Sequence, residues 1–159
     1  LLSFFPSPSL TPGRLNLMRV QNGRVLIDYA HNPAAIGGLM EFVQSIDANR
    51  RIGVVTAPGD RRDEDLRNVG RLIAKMDYVV VKEDKERRGR DPGDIAGLIT
   101  EGLRDGGMEE NHYATIYNEQ EAITYALEQM EDNDLVVILA DDVSASLDLV
   151  RRYSPDGVR

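Results

Sequence analysis

The apolar positions change period along the chain, and the changes mark out its elements. From Leu15 to Val20 apolar residues alternate with polar ones, the period of a strand, and Asn22-Gly23 then supplies a dipeptide favoured in two-residue hairpin turns before a second strand from Arg24 to Ala30. Asn32 is placed to cap a helix whose first position is Pro33, and Ala35, Ile36, Leu39, Met40 and Val43 follow at helical spacing. The pattern then repeats. Strands are predicted at Arg51 to Thr56, Tyr78 to Val81, Tyr113 to Tyr117 and Leu135 to Ala140, with helices at Asp63 to Met76, Ile95 to Leu103, Glu119 to Met130 and Val143 to Arg152. The Tyr78-Val79-Val80-Val81 run has no polar face and suits a strand covered on both sides. A hairpin followed by strand and helix in alternation predicts an α/β, Rossmann-like, mostly parallel sheet of about six strands, with one antiparallel edge strand from the hairpin and helices on both faces.

Residues 1–13 contain Pro6, Pro8, Pro12 and Gly13 and read as a linker from a preceding domain, with the ordered domain expected over 14–159. The length, 159 residues at 42% hydrophobic and 29% charged, suffices for one core without disulfides or a structural metal. There is no cysteine, which removes thiolate-zinc, iron–sulfur and thiol-nucleophile chemistry and is easiest to reconcile with the cytoplasm. No apolar run approaches the ~20 residues that span a bilayer, so no membrane partner is expected. The formal charge of −8 argues against a nucleic-acid partner. It is unevenly spread: residues 60–90 carry ten basic and eight acidic side chains, a net +2 within a remainder of −10. Sixteen of the 19 basic residues are arginine, the side chain suited to bidentate contacts with carboxylate or phosphate.

Ligands in such sheets sit beyond the carboxyl ends of the strands, and four segments lie there. Asp28 ends an apolar strand, so its carboxylate either meets a ligand such as a ribose hydroxyl or is tied to amides of the next loop. His31 and Asn32 follow it, at the start of a helix whose amino terminus favours an anion. Asp60, Arg61 and Arg62 occupy the turn opened by Pro58-Gly59. The acids that follow suit a helix start, which leaves the arginines to be explained. The run from Lys82 to Arg90, which includes Glu83, Asp84, Glu86 and Arg88, is either a solvated loop or one wall of a pocket of mixed sign, suited to a zwitterionic amino acid. Asp141 and Asp142 end the last strand. Neither GxxxxGK[ST] nor GxGxxG is present, so a nucleotide site here would be only partial.

Pro12-Gly13-Arg14 and Asp28-Tyr29-Ala30-His31-Asn32-Pro33 resemble the carboxyl-terminal domain of the Mur ligase family, ATP-dependent amino-acid ligases. The resemblance extends with specific motifs to about Leu103 and in general order to Arg152. It implies a lid that closes over a central ATPase domain of the same chain, where the phosphate loop and most Mg2+ ligands lie. It further implies ATP contacts at Arg14, Asp28, His31 and Asn32, and amino-acid contacts at Asp60, Arg61, Arg62, Glu83, Asp84 and Arg88. No catalytic group is expected within this domain alone, and by itself the domain should be inactive.

In the family, ATP phosphorylates a carboxylate and an incoming amine attacks the acyl phosphate. The loops 57–65 and 81–90 look most like the members that add arginine to the aspartate side chains of a growing acidic polypeptide, so Glu83, Asp84 and Glu86 become candidate guanidinium partners. Relatives that add diaminopimelate carry Asp-Asn-Pro-Arg near position 84 and Gly-His-Glu near the last strand. Glu83 to Arg87 and Ala140 to Val143 depart from both motifs, which disfavours a peptidoglycan amino-acid ligase and leaves Asp141 and Asp142 without an expected role. A folylpolyglutamate synthase shares Ala-His-Asn-Pro, but Tyr29 and the arginine-rich loop count against it. A flavodoxin-like binding module would place its acidic pair after the first parallel strand and a lysine after the last, unlike this chain.

Overall fold

The computed structural model describes residues 16–83 and 88–153. A hairpin of β1 (Asn16–Val20) and β2 (Gly23–Asp28) leads into α1 (Pro33–Ser45), β3 (Arg51–Val55), α2 (Asp63–Ile73), β4 (Tyr78–Val81) and α3 (Asp94–Asp105). A 3-10 turn at Glu110–His112 then precedes β5 (Tyr113–Thr115), α4 (Glu119–Gln129), β6 (Leu135–Leu139) and α5 (Val143–Arg151). The sheet has six strands in the order β1-β2-β6-β3-β4-β5, with the β1–β2 pair antiparallel and the rest parallel. The expected architecture is therefore present, with β1 as the antiparallel edge.

The hairpin turns one residue earlier than Asn22-Gly23 suggests. Val20 pairs with Gly23, so Gln21 and Asn22 make the turn, and Gln21 takes a left-handed φ of 52°. Gly23 is required for a different reason: a Cβ there would lie 2.6 Å from the Asp134 carbonyl oxygen, on the segment that leads into β6. The strand must pass that close for Arg24 N–H to donate to the same oxygen at 3.0 Å.

Alternation along β6 divides the core. Leu135, Val137 and Leu139 join α1, α2 and α3 on one face, where Ile36, Val43, Leu66, Ile73, Ile95 and Leu103 are buried. Val136, Ile138 and Ala140 join α4 and α5 on the other, with Ile123, Leu127, Leu147 and Val150. Since every β6 residue packs on one layer or the other, the strand reads as one continuous apolar run.

The two faces also determine where a ligand can enter. The chain leaves β2 and β3 toward α1 and α2 on the first face but leaves β6, which lies between them, toward α5 on the second. Neighbouring strands whose connections diverge open a crevice at their carboxyl ends, here beyond β2, β6 and β3.

Helices α2 and α3 meet backbone to backbone. A Cβ on Gly70 would lie 2.1 Å from the Ile99 carbonyl oxygen, and one on Gly102 would lie 2.0 Å from that of Arg67. Around this seam Arg67 pairs with Glu101 at 2.9 Å, and Arg71 with Glu64 at 2.6 Å and Asp105 at 3.1 Å. Arg71 holds the Glu64 carboxyl below its usual range, although the pair is exposed and contributes little to stability. The glycines carry the contact. Gly102→Ala should force α2 and α3 apart and cost roughly 2–3 kcal/mol, measured as a lowered urea midpoint at unchanged slope.

Candidate functional site

The crevice beyond β2, β6 and β3 holds a cavity of about 550 Å³. Its walls are Tyr29, Ala30 and His31 after β2, Thr56, Ala57 and Pro58 after β3, Arg88, and Leu139 to Val143 at the end of β6. The amino terminus of α5 opens onto it at Asp142 and Val143, and α1 begins two residues after the lining His31. Each is capped from its own chain: Asn32 Oδ1 accepts from Ala35 N–H at 2.8 Å and Asp142 Oδ1 from Ala145 N–H at 3.0 Å.

Of the candidate residues after β2, His31 lines this cavity, while Asp28 and Asn32 flank the lining segment in the chain. Asp28 Oδ2 accepts from Ala30 N–H at 2.9 Å, the tie to the next loop that the sequence left open, while its backbone oxygen accepts from Ala140 N–H at 3.0 Å. His31 Nδ1 lies 3.1 Å from the Tyr29 carbonyl oxygen, and the two rings stand 5.1 Å apart between centroids. Tyr29 is 54% exposed, an aromatic surface left facing outward at the rim. Arg14 lies outside the described residues.

The two charged loops meet each other. Arg88 Nη1 donates to Asp60 Oδ2 at 3.2 Å, with both side chains about half exposed, so this pair is worth no more than about 1 kcal/mol. Arg90, which the sequence reading does not single out, is held far more firmly. Its guanidinium donates to the Gly59 and Arg61 carbonyl oxygens and to Asp63 Oδ1, each at 2.8 Å, and its side chain is only 17% exposed. It fastens the end of the 82–90 segment to the Asp60 turn. Arg62 is turned away into an exposed pair with Asp65 at 3.1 Å, which raises the guanidinium's pKa and lowers that of the carboxyl.

Glu83 is buried, and its Oε2 accepts from Ala96 N–H at 2.8 Å. It thereby supplies the side-chain cap that Gly93, at the start of α3, has no side chain to make. Asp84 and Glu86 lie outside the described residues. Polar atoms buried at this end of the sheet without a hydrogen-bond partner among the described residues include Thr56 Oγ1, Arg61 Nε and Glu83 Oε1. Such atoms are costly in a finished interior, about 1–3 kcal/mol each, and Thr56 lines the cavity itself.

The sequence reading misses the most deeply buried charge. Lys82 is fully buried, its Nζ 2.8 Å from Glu119 Oε2 and 3.3 Å from Asp141 Oδ1. One signal was available: Lys82 shares its strand face with Val80, in the layer covered by α4 and α5, where a lysine needs a carboxylate within the protein. Among the described residues, no group of three histidine or acidic side chains is placed to hold a metal ion.

The fold is a divided α/β sheet with a crevice at its carboxyl ends, beside which buried polar atoms lack partners among the described residues. The chain belongs to the Mur ligase family, whose model for the Mur ligase, glutamate ligase domain matches residues 13–141. It is 43% identical over 152 residues to the cyanophycin synthetase of Trichormus variabilis, a match that covers 95% of this chain and 17% of that protein. It is 32% identical over 123 residues to the UDP-N-acetylmuramoyl-L-alanyl-D-glutamate–2,6-diaminopimelate ligase of Caldanaerobacter subterraneus, covering 75% of this chain and 25% of that one. Among solved structures, a ligase of that same name superposes with a TM-score of 0.70 at 25% identity, over 84% of this chain and 26% of the other. The Mycobacterium tuberculosis folylpolyglutamate synthase complexed with ADP superposes with a TM-score of 0.68 at 26% identity, over 86% of this chain and 31% of the other. The chain thus spans a small part of the relatives it matches.

Arg90→Ala should release the Asp60 turn and cost roughly 2–4 kcal/mol, since three hydrogen bonds to a charged donor are lost together. Thermal unfolding checks this, with Arg88→Ala expected to shift the midpoint far less.

Proposed function

We propose that this chain is the carboxyl-terminal lid domain of an ATP-dependent amide ligase of the cyanophycin synthetase kind. In this reading the complete enzyme adds arginine to aspartate side chains of a poly-aspartate backbone through an acyl phosphate, in the cytoplasm. One observation carries the proposal: the cavity beyond β2, β6 and β3 is only half furnished. The amino terminus of α5 and a rim of mixed charge face it, yet Thr56 Oγ1 in its wall, and Arg61 Nε in the neighbouring Asp60 turn, have no hydrogen-bond partner among the described residues. A second domain closing on this end of the sheet would supply what is missing. The 43% identity to a cyanophycin synthetase over 95% of the chain supports the branch of the family.

ATP and Mg2+ fit this arrangement as shared ligands. The nucleotide side falls to Arg14, Asp28, His31 and Asn32, beside the exposed Tyr29 ring and the amino terminus of α1. The phosphate loop and most of the Mg2+ ligands are assigned to the central ATPase domain, reached through the linker at 1–13. ATP supplies the phosphoryl group that makes the acceptor carboxylate reactive. This chain's residues position and exclude water, and no proton transfer is assigned to them.

The amino-acid side falls to the two charged loops. Asp60 and Arg88 can open their weak pair so that Asp60 meets a cation and Arg88 a carboxylate. Arg61, with its unpartnered Nε, and the exposed Arg62 add positive charge beside the turn, while Asp84 is a candidate for the guanidinium. Glu83, already spent on α3 through one oxygen, contributes at most its second. Without the central domain, this chain alone should transfer nothing.

In the complete protein, ADP release in the presence of primer, ATP and Mg2+ should depend on arginine. Turnover with glutamate or diaminopimelate in its place would defeat the branch assignment. Asp28→Ala should raise the KM for ATP roughly tenfold, the equivalent of about 1.4 kcal/mol. An unchanged KM would remove Asp28 from the nucleotide site.

A further inference from the structure

The buried charges behind the cavity have a geometry that core packing alone does not require. Glu119 begins α4 on the face opposite α1, yet its carboxylate reaches the end of β6. Its Oε2 accepts from Asp141 N–H at 2.7 Å, and its Oε1 accepts from Asp142 N–H at 3.2 Å and faces Ser146 Oγ at 3.4 Å. One side chain therefore holds both backbone amides of the turn that forms a cavity wall. Lys82 completes the arrangement from β4, two strands away from β6 in the sheet. Its Nζ contacts Glu119 Oε2 and Asp141 Oδ1 as ion pairs without hydrogen-bond alignment.

We propose that Lys82 and Glu119 are positioning residues which preset the Asp141–Asp142 turn, and so the wall of the cavity, before substrate arrives. Three considerations carry this. Burial of a lysine is expensive, and apolar side chains of similar volume would pack the same space at no cost in stability, so the pair is unexplained as packing. The amides that Glu119 holds belong to the β6–α5 turn, whose chain direction opens the crevice, and no other side chain in the described residues fixes both. The Lys82 ammonium also opposes the repulsion between the Glu119 and Asp141 carboxylates, which would otherwise drive Asp141 away from its present place. The link to turnover rests on the ligase reading above; the link to the turn does not.

The test is made on the complete protein. Lys82→Met alone leaves two carboxylates facing each other and is a poor probe, so it is combined as Lys82→Met/Glu119→Gln, with Glu119→Gln alone as a milder companion. Amide hydrogen exchange is followed without substrate at Asp141 and Asp142 and, as an internal control, at Val136 to Ile138. Exchange at the turn should quicken at least tenfold in the double variant and to a smaller degree in Glu119→Gln, with the control amides unchanged. Turnover should then show kcat/KM for the amino acid at least tenfold lower at a melting temperature close to the parent's. Unchanged exchange at the turn in a folded variant overturns the proposal. So does quickened exchange with undiminished kcat/KM, or a loss of kcat/KM that simply follows the melting temperature. If the parent protein turns over no amino acid, the ligase reading fails while the exchange comparison still decides whether these residues hold the turn.

Discussion

β6 is paired along its length on both sides, to Arg24–Asp28 on one and to Arg51–Val54 on the other. Neither neighbour is adjacent to it in sequence, so the last strand among the described residues is the one that joins the hairpin to the rest of the sheet. Its five residues are all buried, alternating between the two helical layers, and the two layers touch through it. The start of the strand is anchored by Asp134, which is buried and accepts from Arg50 at 2.7 Å. Its end carries the turn that walls the cavity. Fold and site therefore depend on the same insertion: remove β6 and there is neither one sheet nor a crevice.

The elements were legible because their signals are local. Asn32 marked the start of α1 and does cap it, Val79 to Val81 of the apolar run are buried with Tyr78 half-buried at its start, and alternation after the hairpin gave the layers. What stayed hidden is non-local. The pairing of β6 between β2 and β3 leaves no trace in the periodicity of any of the three strands. The one-residue shift of the hairpin turn follows from the approach of Gly23 to Asp134, more than a hundred positions later. Helix α2 stops at Ile73, short of the expected Met76, because Ala74 and Lys75 turn the chain into β4 while the apolar pattern runs on.

The place of the candidate site in the fold was legible in the same measure. Motif position brought Asp28, His31, Asn32, Asp60 and Arg88 to one end of the sheet, where they are found. Sequence could not separate arginines of the same charged segment by role. Arg88 rests in a weak exposed pair, while Arg90, two positions later, is tied to two carbonyls and a carboxylate. Lys82 and Glu119 lie 37 positions apart in the chain, and only the placing of β4 beside the start of α4 makes them partners.

The fastening of the charged segment has a consequence for how such domains diversify. Glu83 is bound to the start of α3 on one side and Arg90 to the Asp60 turn on the other, so the residues between them begin and end at fixed points. Neither anchor draws on the identity of positions 84–89. A segment secured in this way can be rewritten by mutation without unsettling the anchors at its two ends, much as antibody loops vary on a constant frame. Sequence between the two anchors can then vary within the family while the scaffold remains under its own, separate selection.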